Sequence, residues 1–270
     1  MNPQSSSRFE RVGRLAAYLA AAALVGLLAL PLFALLFRAI EEDLAAQLFN
    51  PSVGAAIRLS LVTTLLSAVA IVLTGTPLAY VLARRRFRGR DTLDALIGLP
   101  IVLPPAVAGI ALLMAFGRRG LLGSALSDLG VALPFTTAAV VLAQVFVAAP
   151  FYVRAARVGF AAVPHELEEM AMGLGASGWQ TFRRVTLPLS RRALTSGLGL
   201  AWARALGEFG ATILFAGNLV GRTQTMPLAI YTGLESDLGA ALAIAVLLVG
   251  VSLALLLLLR LVTREGSALD

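Results

Sequence analysis

Residues 163–188 read VPHELEEMAMGLGASGWQTFRRVTLP and form the longest polar segment between two long apolar blocks of the chain. Three glutamates and two arginines lie in this stretch, whereas Ala, Leu, Val and Phe dominate the blocks on either side. Long apolar blocks joined by a short polar segment are typical of membrane spans connected by a loop. The segment therefore predicts a membrane protein with a water-exposed loop between two of its spans.

The first half of this loop is predicted to be an amphipathic helix. Pro164 suits the first turn of a helix, where its missing N–H group costs nothing, and the glutamates lie near the positive end of the helix dipole. Four apolar residues at i, i+3, i+4 and i+7 share one face: Leu167, Met170, Ala171 and Leu174. An apolar face in a water-exposed loop predicts a docking surface for another protein. The alternative is a loop that packs on the spans of its own chain.

The second half of the loop is predicted to form another, shorter helix. Gly175 belongs to the glycine pair that ends the first helix, and Ser177 is a candidate N-cap for the second. Trp179 and Phe182 would share its apolar face, while the two neighbouring arginines stay in water. The glycines at 173, 175 and 178 also spell the dinucleotide-binding pattern G-x-G-x-x-G. That pattern requires a preceding strand, which is not expected here.

Composition indicates an integral membrane protein. Hydrophobic residues make up 59% of the chain, charged residues make up 14%, and the mean hydropathy is +0.87, values that ordinary soluble domains do not show. The absence of cysteine excludes disulfides, thiolate catalysis and cysteine-based metal sites. The sequence pI of about 11.1 comes from arginines at the ends of apolar segments, which indicates membrane orientation and not nucleic-acid binding.

Six apolar segments are predicted to cross the membrane within a single all-α transmembrane domain of residues 1–270. They cover about residues 15–37, 53–83, 93–116, 135–158, 189–215 and 238–262, and the loop 163–188 separates the fourth from the fifth. The first exceeds the apolar core of a signal peptide and is expected to remain as an anchor. The third contains Pro100, Pro104 and Pro105, which predict a kinked helix inside the bundle.

The arginines predict the orientation of these spans. All 22 basic residues are arginines, because the sequence contains no lysine. With the N-terminus inside, sixteen of them lie in cytoplasmic segments, five lie outside, and Arg204 lies within a span. This asymmetry favours both termini and the loop 163–188 in the cytoplasm. A P-loop requires a lysine, so ATP hydrolysis by that route must belong to another polypeptide.

The loop resembles the cytoplasmic EAA loop of ATP-binding-cassette (ABC) importer permeases. The family pattern is Glu-Ala-Ala, three residues, Gly, nine residues, Ile, one residue, Leu-Pro. This sequence keeps every spacing, with Glu169, Met170, Ala171, Gly175, Val185, Leu187 and Pro188. Met170 replaces Ala and Val185 replaces Ile, and both substitutions keep an apolar side chain.

Two further segments narrow the resemblance, which covers roughly residues 50–260. Residues 99–120 and 203–236 resemble the molybdate and tungstate permeases of the superfamily. Sulfate and thiosulfate permeases are near neighbours, because they also carry the run Arg-x-x-Gly-Glu-aromatic-Gly found here from Arg204 to Gly210. The choice among molybdate, tungstate and sulfate stays open.

The resemblance implies a type I ABC importer permease-like subunit in the cell inner membrane. It implies a homodimer of two permease copies, two ABC ATPase subunits that hold ATP and Mg, an external oxyanion-binding protein, and no cofactor on this chain. It also assigns ATPase coupling to nine positions of the loop: Glu166, Leu167, Glu169, Met170, Ala171, Leu174, Gly175, Leu187 and Pro188.

Polar groups within the spans are candidates for the transport pathway or its gate. Arg204 and Glu208 lie one helical turn apart, and charges at membrane depth normally face a partner or a water-filled path. The alternative is an internal ion pair that fixes helix packing. Ser60, Thr64 and Ser67 form a polar stripe on the second span. Such hydroxyls also serve helix packing or bond to their own backbone.

Enzymatic and purely structural functions are the alternatives of another class. No two spans supply convergent carboxylates, a histidine-supported nucleophile or a metal cluster, so no catalytic or metal-binding residue is predicted. The single histidine, His165, is expected at the protein surface. A structural membrane protein would not require an amphipathic loop that ends in Leu-Pro. An import permease is therefore the function favoured by the sequence.

Overall fold

The computed structural model describes residues 3–41, 44–48 and 50–264, and in these ranges the chain folds only into helices, turns and loops. The apolar segments are long and lack the regular alternation of strands. They form helices, in which the backbone N–H and C=O groups bond to one another within the segment. The helices are α1 (Pro3–Ile40), α2 (Leu44–Leu48), α3 (Pro51–Arg84), α4 (Arg90–Val102), α5 (Pro105–Phe116), α6 (Gly123–Asp128), α7 (Thr137–Ala161), α8 (His165–Gly173), α9 (Gly178–Thr181), α10 (Leu187–Leu206), α11 (Gly210–Phe215), α12 (Met226–Ser236) and α13 (Leu238–Arg264). A π-helical turn, Phe182–Thr186, joins α9 to α10.

Four helices of the described chain are long and apolar enough to cross a membrane: α1 over Gly13–Ile40, α3, α7, and α13 over Leu238–Leu261. The predicted spans 15–37, 53–83, 135–158 and 238–262 coincide with these apolar helices to within three residues at each end. The pair α4 and α5 makes a fifth span if the two are counted together. The predicted span 189–215 is not continuous, and the prediction that both termini are cytoplasmic stays a prediction. Residues 265–270 of the predicted tail lie outside the described residues.

The predicted span 93–116 is bent by 118° between α4 and α5. The bend lies at Pro104 and Pro105, which cannot donate the backbone hydrogen bonds that would continue α4. The predicted kink is thus confirmed. The expectation of an internal helix holds for one face of α5 only, because Ala108 and Leu112 are buried whereas Met114 is 60% exposed.

The prediction of one continuous helix over 189–215 is wrong. The chain leaves helical geometry at Gly207–Phe209, and α11 begins at Gly210. At Gly210 a Cβ atom would lie 2.4 Å from the Cβ of Pro105, so only glycine allows α11 to approach the start of α5 this closely. The break therefore lies against the bend between α4 and α5.

Helix α7 forms the centre of the bundle and packs between α3 and α10. Small residues allow the close approach. A Cβ on Gly159 of α7 would lie 2.5 Å from the Cβ of Ala193, and a Cβ on Gly197 of α10 would lie 2.6 Å from that of Ala155. Tyr152 and Phe160 of α7 fill the buried core beside these contacts. Helix α1 contacts α13, but no residue of its most apolar window is buried within the protomer.

Candidate functional site

The loop 163–188 holds the predicted amphipathic helix, and α8 spans His165–Gly173 directly after Pro164. The predicted apolar stripe faces outward from the protomer. Leu167 is 38% exposed, Met170 is 59% exposed and Leu174 is 91% exposed, while Ala171 is half-buried. Apolar side chains this exposed in a segment rich in charge form a surface suited to cover by another protein. We call Leu167, Met170 and Leu174 the docking face.

The opposite side of α8 is fixed by a buried carboxylate that the sequence did not single out. Glu168 is only 4% exposed. Its Oε1 accepts hydrogen bonds from Arg84 Nη2 at 2.8 Å and from the hydroxyl of Thr186 at 2.5 Å. Arg84 Nη2 also donates to the carbonyl of Val163 at 3.0 Å. We call Glu168, Arg84 and Thr186 the loop anchor, because they tie α8 to the end of α3 and to the residue before α10.

The remainder of the loop follows the predicted turn chemistry. Gly175 has φ of +90°, which favours glycine, and the N–H of Ala176 donates to the carbonyl of Ala171 across the end of α8. Ser177 caps α9 in a capping box with Gln180, as its position predicted. The other predicted coupling residues lie on the helices at either end of the loop. Glu166 and Glu169 are exposed on α8, and Leu187 and Pro188 form the first turn of α10.

Arg204 and Glu208 form the predicted pair, although the helix ends between them. Arg204 Nη2 lies 2.8 Å from Glu208 Oε2, and the side chain of Arg204 is 30% exposed while that of Glu208 is 1% exposed. The other carboxylate oxygen, Oε1, accepts the backbone N–H of Ala211 at 2.8 Å. Glu208 thus caps the start of α11 and binds the arginine at the same time. This dual contact links the break in the chain to the end of α10.

Ser60, Thr64 and Ser67 are brought together as a stripe, but they are at most 1% exposed in the protomer. The Ser60 hydroxyl accepts the N–H of Met226 at 2.7 Å, and Thr64 donates to the carbonyl of Ser60 at 2.7 Å. Ser67 donates to Oε1 of Gln144, on α7, at 2.8 Å. These contacts favour the helix-packing interpretation over a pathway lining. Gln144 was not singled out in the sequence because a lone amide in an apolar span carries no pattern.

The family assignment rests on the match to a known sequence profile. The profile described as "Binding-protein-dependent transport system inner membrane component" matches residues 75–265, which include the whole loop 163–188 and both members of the pair Arg204 and Glu208. The chain belongs to this family. It is therefore a multi-pass component of an inner-membrane transport system, in agreement with the apolar helices of the fold.

Relatives of this transport component include several permeases with stated cargo. It is 46% identical over 235 residues to the molybdenum transport system permease protein ModB of Mycobacterium tuberculosis, covering 87% of this chain and 89% of the relative. It is 38% identical over 234 residues to the sulfate transport system permease protein CysT of Escherichia coli, covering 85% and 84%. These similarities confirm the predicted resemblance to molybdate permeases with sulfate permeases as near neighbours.

The fold of this transport component also matches a solved importer. A bacterial alginate ABC transporter, crystallised with an alginate pentasaccharide-bound periplasmic protein, superposes with a TM-score of 0.74 at 19% identity and covers 96% of each chain. Identity this low establishes the fold alone. The all-helical architecture of this chain thus resembles that of a chain of this ABC transporter.

His165 lies at the protein surface, as the sequence predicts. The His165 side chain is 62% exposed and its Nδ1 lies 3.8 Å from Glu168 Oε2. Among the described residues, no group of three or more His, Asp or Glu side chains is placed to hold a metal ion.

Proposed function

We propose that this chain is the transmembrane permease subunit of a binding-protein-dependent importer for molybdate, with tungstate as a chemically equivalent cargo. The observation that carries the proposal is the exposed docking face on a helix whose other side is anchored to two spans. A water-exposed apolar surface on such a helix suits the transfer of force from a separate protein. The similarity to molybdenum permeases supports the choice of cargo.

The membrane topology belongs to the proposal. We place six spans in the membrane, with α10 and α11 together as the broken fifth, and both termini in the cytoplasm. The excess of arginines in the segments that this topology places inside supports the assignment. A break at membrane depth requires internal partners for the freed backbone groups, and Glu208 supplies one by accepting the N–H of Ala211.

A separate ATPase is part of the proposal because the chain contains no lysine for a P-loop, and the other partners follow from the family. Two copies of the permease would form a homodimer around a central path, and each would bind one ABC ATPase subunit that holds ATP and Mg. An external binding protein would deliver the oxyanion. ATP binding would favour one arrangement of the two halves and hydrolysis would restore the other, which gives alternating access.

The loop anchor supplies a route for this coupling. A partner that moves the docking face moves α8, and the buried carboxylate of Glu168 is bonded to Arg84 at the end of α3 and to Thr186 before α10. Both spans flank the central helix α7. A displacement at the docking face would therefore reach the centre of the bundle through two short hydrogen bonds.

Arg204 and Glu208 are proposed as a gate at the break between α10 and α11. Arg204 keeps 30% of its side chain exposed, which leaves its charge available to an oxyanion, whereas the buried Glu208 holds the guanidinium at rest.

Reversing the charge with Glu208→Lys is expected to abolish coupled import, because it places two cations side by side and removes the cap of α11. Glu235→Lys, an exposed acid on α12, is the matched control. Normal import and coupling in Glu208→Lys vesicles would leave only a packing function for the pair.

Cargo choice is tested by competition uptake into vesicles that contain the permease, its ATPase and its binding protein. Labelled molybdate uptake is expected to be suppressed by unlabelled tungstate and by a large excess of sulfate only. Sulfate is the main alternative because it has the same charge and tetrahedral shape, and a sulfate permease is 38% identical to this chain. Suppression by equimolar sulfate would assign the chain to sulfate or thiosulfate import instead.

A further inference from the structure

An open groove of about 960 Å³ runs along one side of the bundle between α3 and α10 and ends at α9. Apolar side chains line most of it, including Leu73 and Pro77 of α3 and Leu194 and Leu198 of α10. Tyr152 of α7 forms part of its lining as well. We call this feature the lateral groove. None of the three residues of the docking face lines it, so it is a separate surface.

Positive charge is concentrated at the α9 end of the lateral groove. Arg85 lines the groove itself, and an adjoining recess is lined by Trp179, Gln180, Arg183 and Arg184. Trp179 belongs to both and is 68% exposed. The three arginines are exposed, and no carboxylate of the described chain pairs with them or lines either recess. An apolar channel therefore leads to an unneutralised cluster of guanidinium groups.

This combination matches the chemistry of one membrane component. An anionic phospholipid carries a phosphate for the guanidinium groups and an acyl chain for the apolar channel, and basic pockets between spans on the cytoplasmic side suit such headgroups. A tryptophan at the boundary between the two is typical of the membrane interface. Arginine forks also bind phosphate oxygens with good geometry.

The apolar helix α1 of a second copy is the main competing occupant, and its charge disfavours it. Three arginines, Arg8, Arg11 and Arg14, precede the apolar part of α1, and with Glu10 among them the segment keeps a net positive charge. With the N-terminus inside, they would meet the three arginines at the mouth of the lateral groove. Like charges in contact at a low-dielectric surface repel. A phosphate, by contrast, brings a negative charge to the cluster and reduces the repulsion among its guanidinium groups.

We propose that the lateral groove binds an anionic phospholipid of the cytoplasmic leaflet, with its phosphate on Arg85, Arg183 and Arg184 and one acyl chain between α3 and α10. The leaflet and the argument against α1 rest on the orientation under the proposed function, whereas the match of the guanidinium groups to a phosphate does not. Phe182, whose ring lies 5.1 Å from that of Tyr80 and 5.7 Å from that of Trp179, forms part of the groove wall. A bound lipid would thus hold the loop 163–188 against the spans.

The chain offers a direct optical test, because it contains two tryptophans, Trp179 and Trp202. The variant Trp202→Phe leaves Trp179 as the reporter at the groove mouth. The full chain would be reconstituted in vesicles in which either phosphatidylglycerol or phosphatidylcholine carries brominated acyl chains at equal mole fraction. Brominated phosphatidylglycerol is expected to quench Trp179 at least about threefold more strongly than brominated phosphatidylcholine, with the preference falling at high salt.

Two variants assign the preference to the groove. Replacing Arg85, Arg183 and Arg184 with Gln is expected to abolish the preference, and the single variant Arg85→Gln is expected to weaken it if the triple variant fails to fold. The control Arg118→Gln with Arg119→Gln removes two exposed arginines elsewhere and should keep it. Equal quenching by both lipids, or none by either, would overturn the proposal. Because no transport is measured, this result is independent of cargo and coupling.

Discussion

Replacing Glu168 with Ala is expected to reduce import per ATP hydrolysed about tenfold, because it breaks the contacts that link α8 to two spans. The carboxylate of Glu168 bonds to Arg84 and Thr186, and these contacts are the route by which α8 moves α3 and α10. Without them, the ATPase would still bind the docking face and hydrolyse ATP. The measurement is oxyanion uptake and phosphate release in the same vesicles.

The same substitution is expected to lower stability, since removing one member of a buried ion pair costs about 3 kcal/mol. The side chains of Arg84 and Glu168 are 9% and 5% exposed, so Arg84 would be left buried without its partner. The double variant Glu168→Leu with Arg84→Met separates the two effects: it should recover the melting temperature but not the coupling. Glu166→Gln, an exposed acid on α8, is the matched control. Wild-type stoichiometry in Glu168→Ala would refute the route through the loop anchor.

Placing a charge on the docking face is expected to weaken ATPase binding by about 30-fold or more for each substitution, because truncating or charging a central apolar contact costs about 2 kcal/mol. The variants are Met170→Glu and Leu174→Glu, at residues that are 59% and 91% exposed. Neither side chain supports the fold of the protomer, so the melting temperature should not change. Binding would be measured by titrating purified ATPase onto the permease in nanodiscs.

The control for this pair is Leu121→Glu, which is 87% exposed and lies in the loop predicted to face outside. It adds the same charge at a comparably exposed leucine. An equal loss of ATPase binding in the control, or undiminished binding in both docking-face variants, would contradict the assignment of α8 as the docking helix.

The long helices were predictable because their sequence signal is local. α1, α3, α7 and α13 are long apolar runs, and the bend between α4 and α5 follows from Pro104 and Pro105. The break after Leu206 was not predictable in the same way. Glycine is tolerated within membrane helices, so Gly207 and Gly210 carry no local signal of a break. Only the close approach of Gly210 to Pro105 explains it.

Within the loop 163–188, too, the features with a local sequence signal were predictable and those without one were not. The docking face could be predicted because i, i+3, i+4 and i+7 spacing fixes which residues share a helix face. The loop anchor could not, because Glu168 and Arg84 are 84 positions apart and nothing local distinguishes Glu168 from the exposed Glu166 and Glu169. The available sequence signal was an arginine at the cytoplasmic end of a predicted span, Arg84, which could pair with one of the glutamates of the loop helix. Likewise, the stripe from Ser60 to Ser67 was visible in the sequence, but its role depends on contacts with other elements, such as Gln144.

The central claim is that a separate ATPase seats on α8, and site-specific crosslinking tests it most directly. The chain contains no cysteine, so Leu174→Cys creates a unique thiol on the docking face for a photoactivatable maleimide, and Leu121→Cys is the matched control. Assembled complexes should yield a crosslink between Leu174→Cys and the ATPase subunit, and none from Leu121→Cys. Adducts of Leu174→Cys with lipid alone, or labelling of that thiol by an impermeant reagent added outside intact cells, would contradict the account.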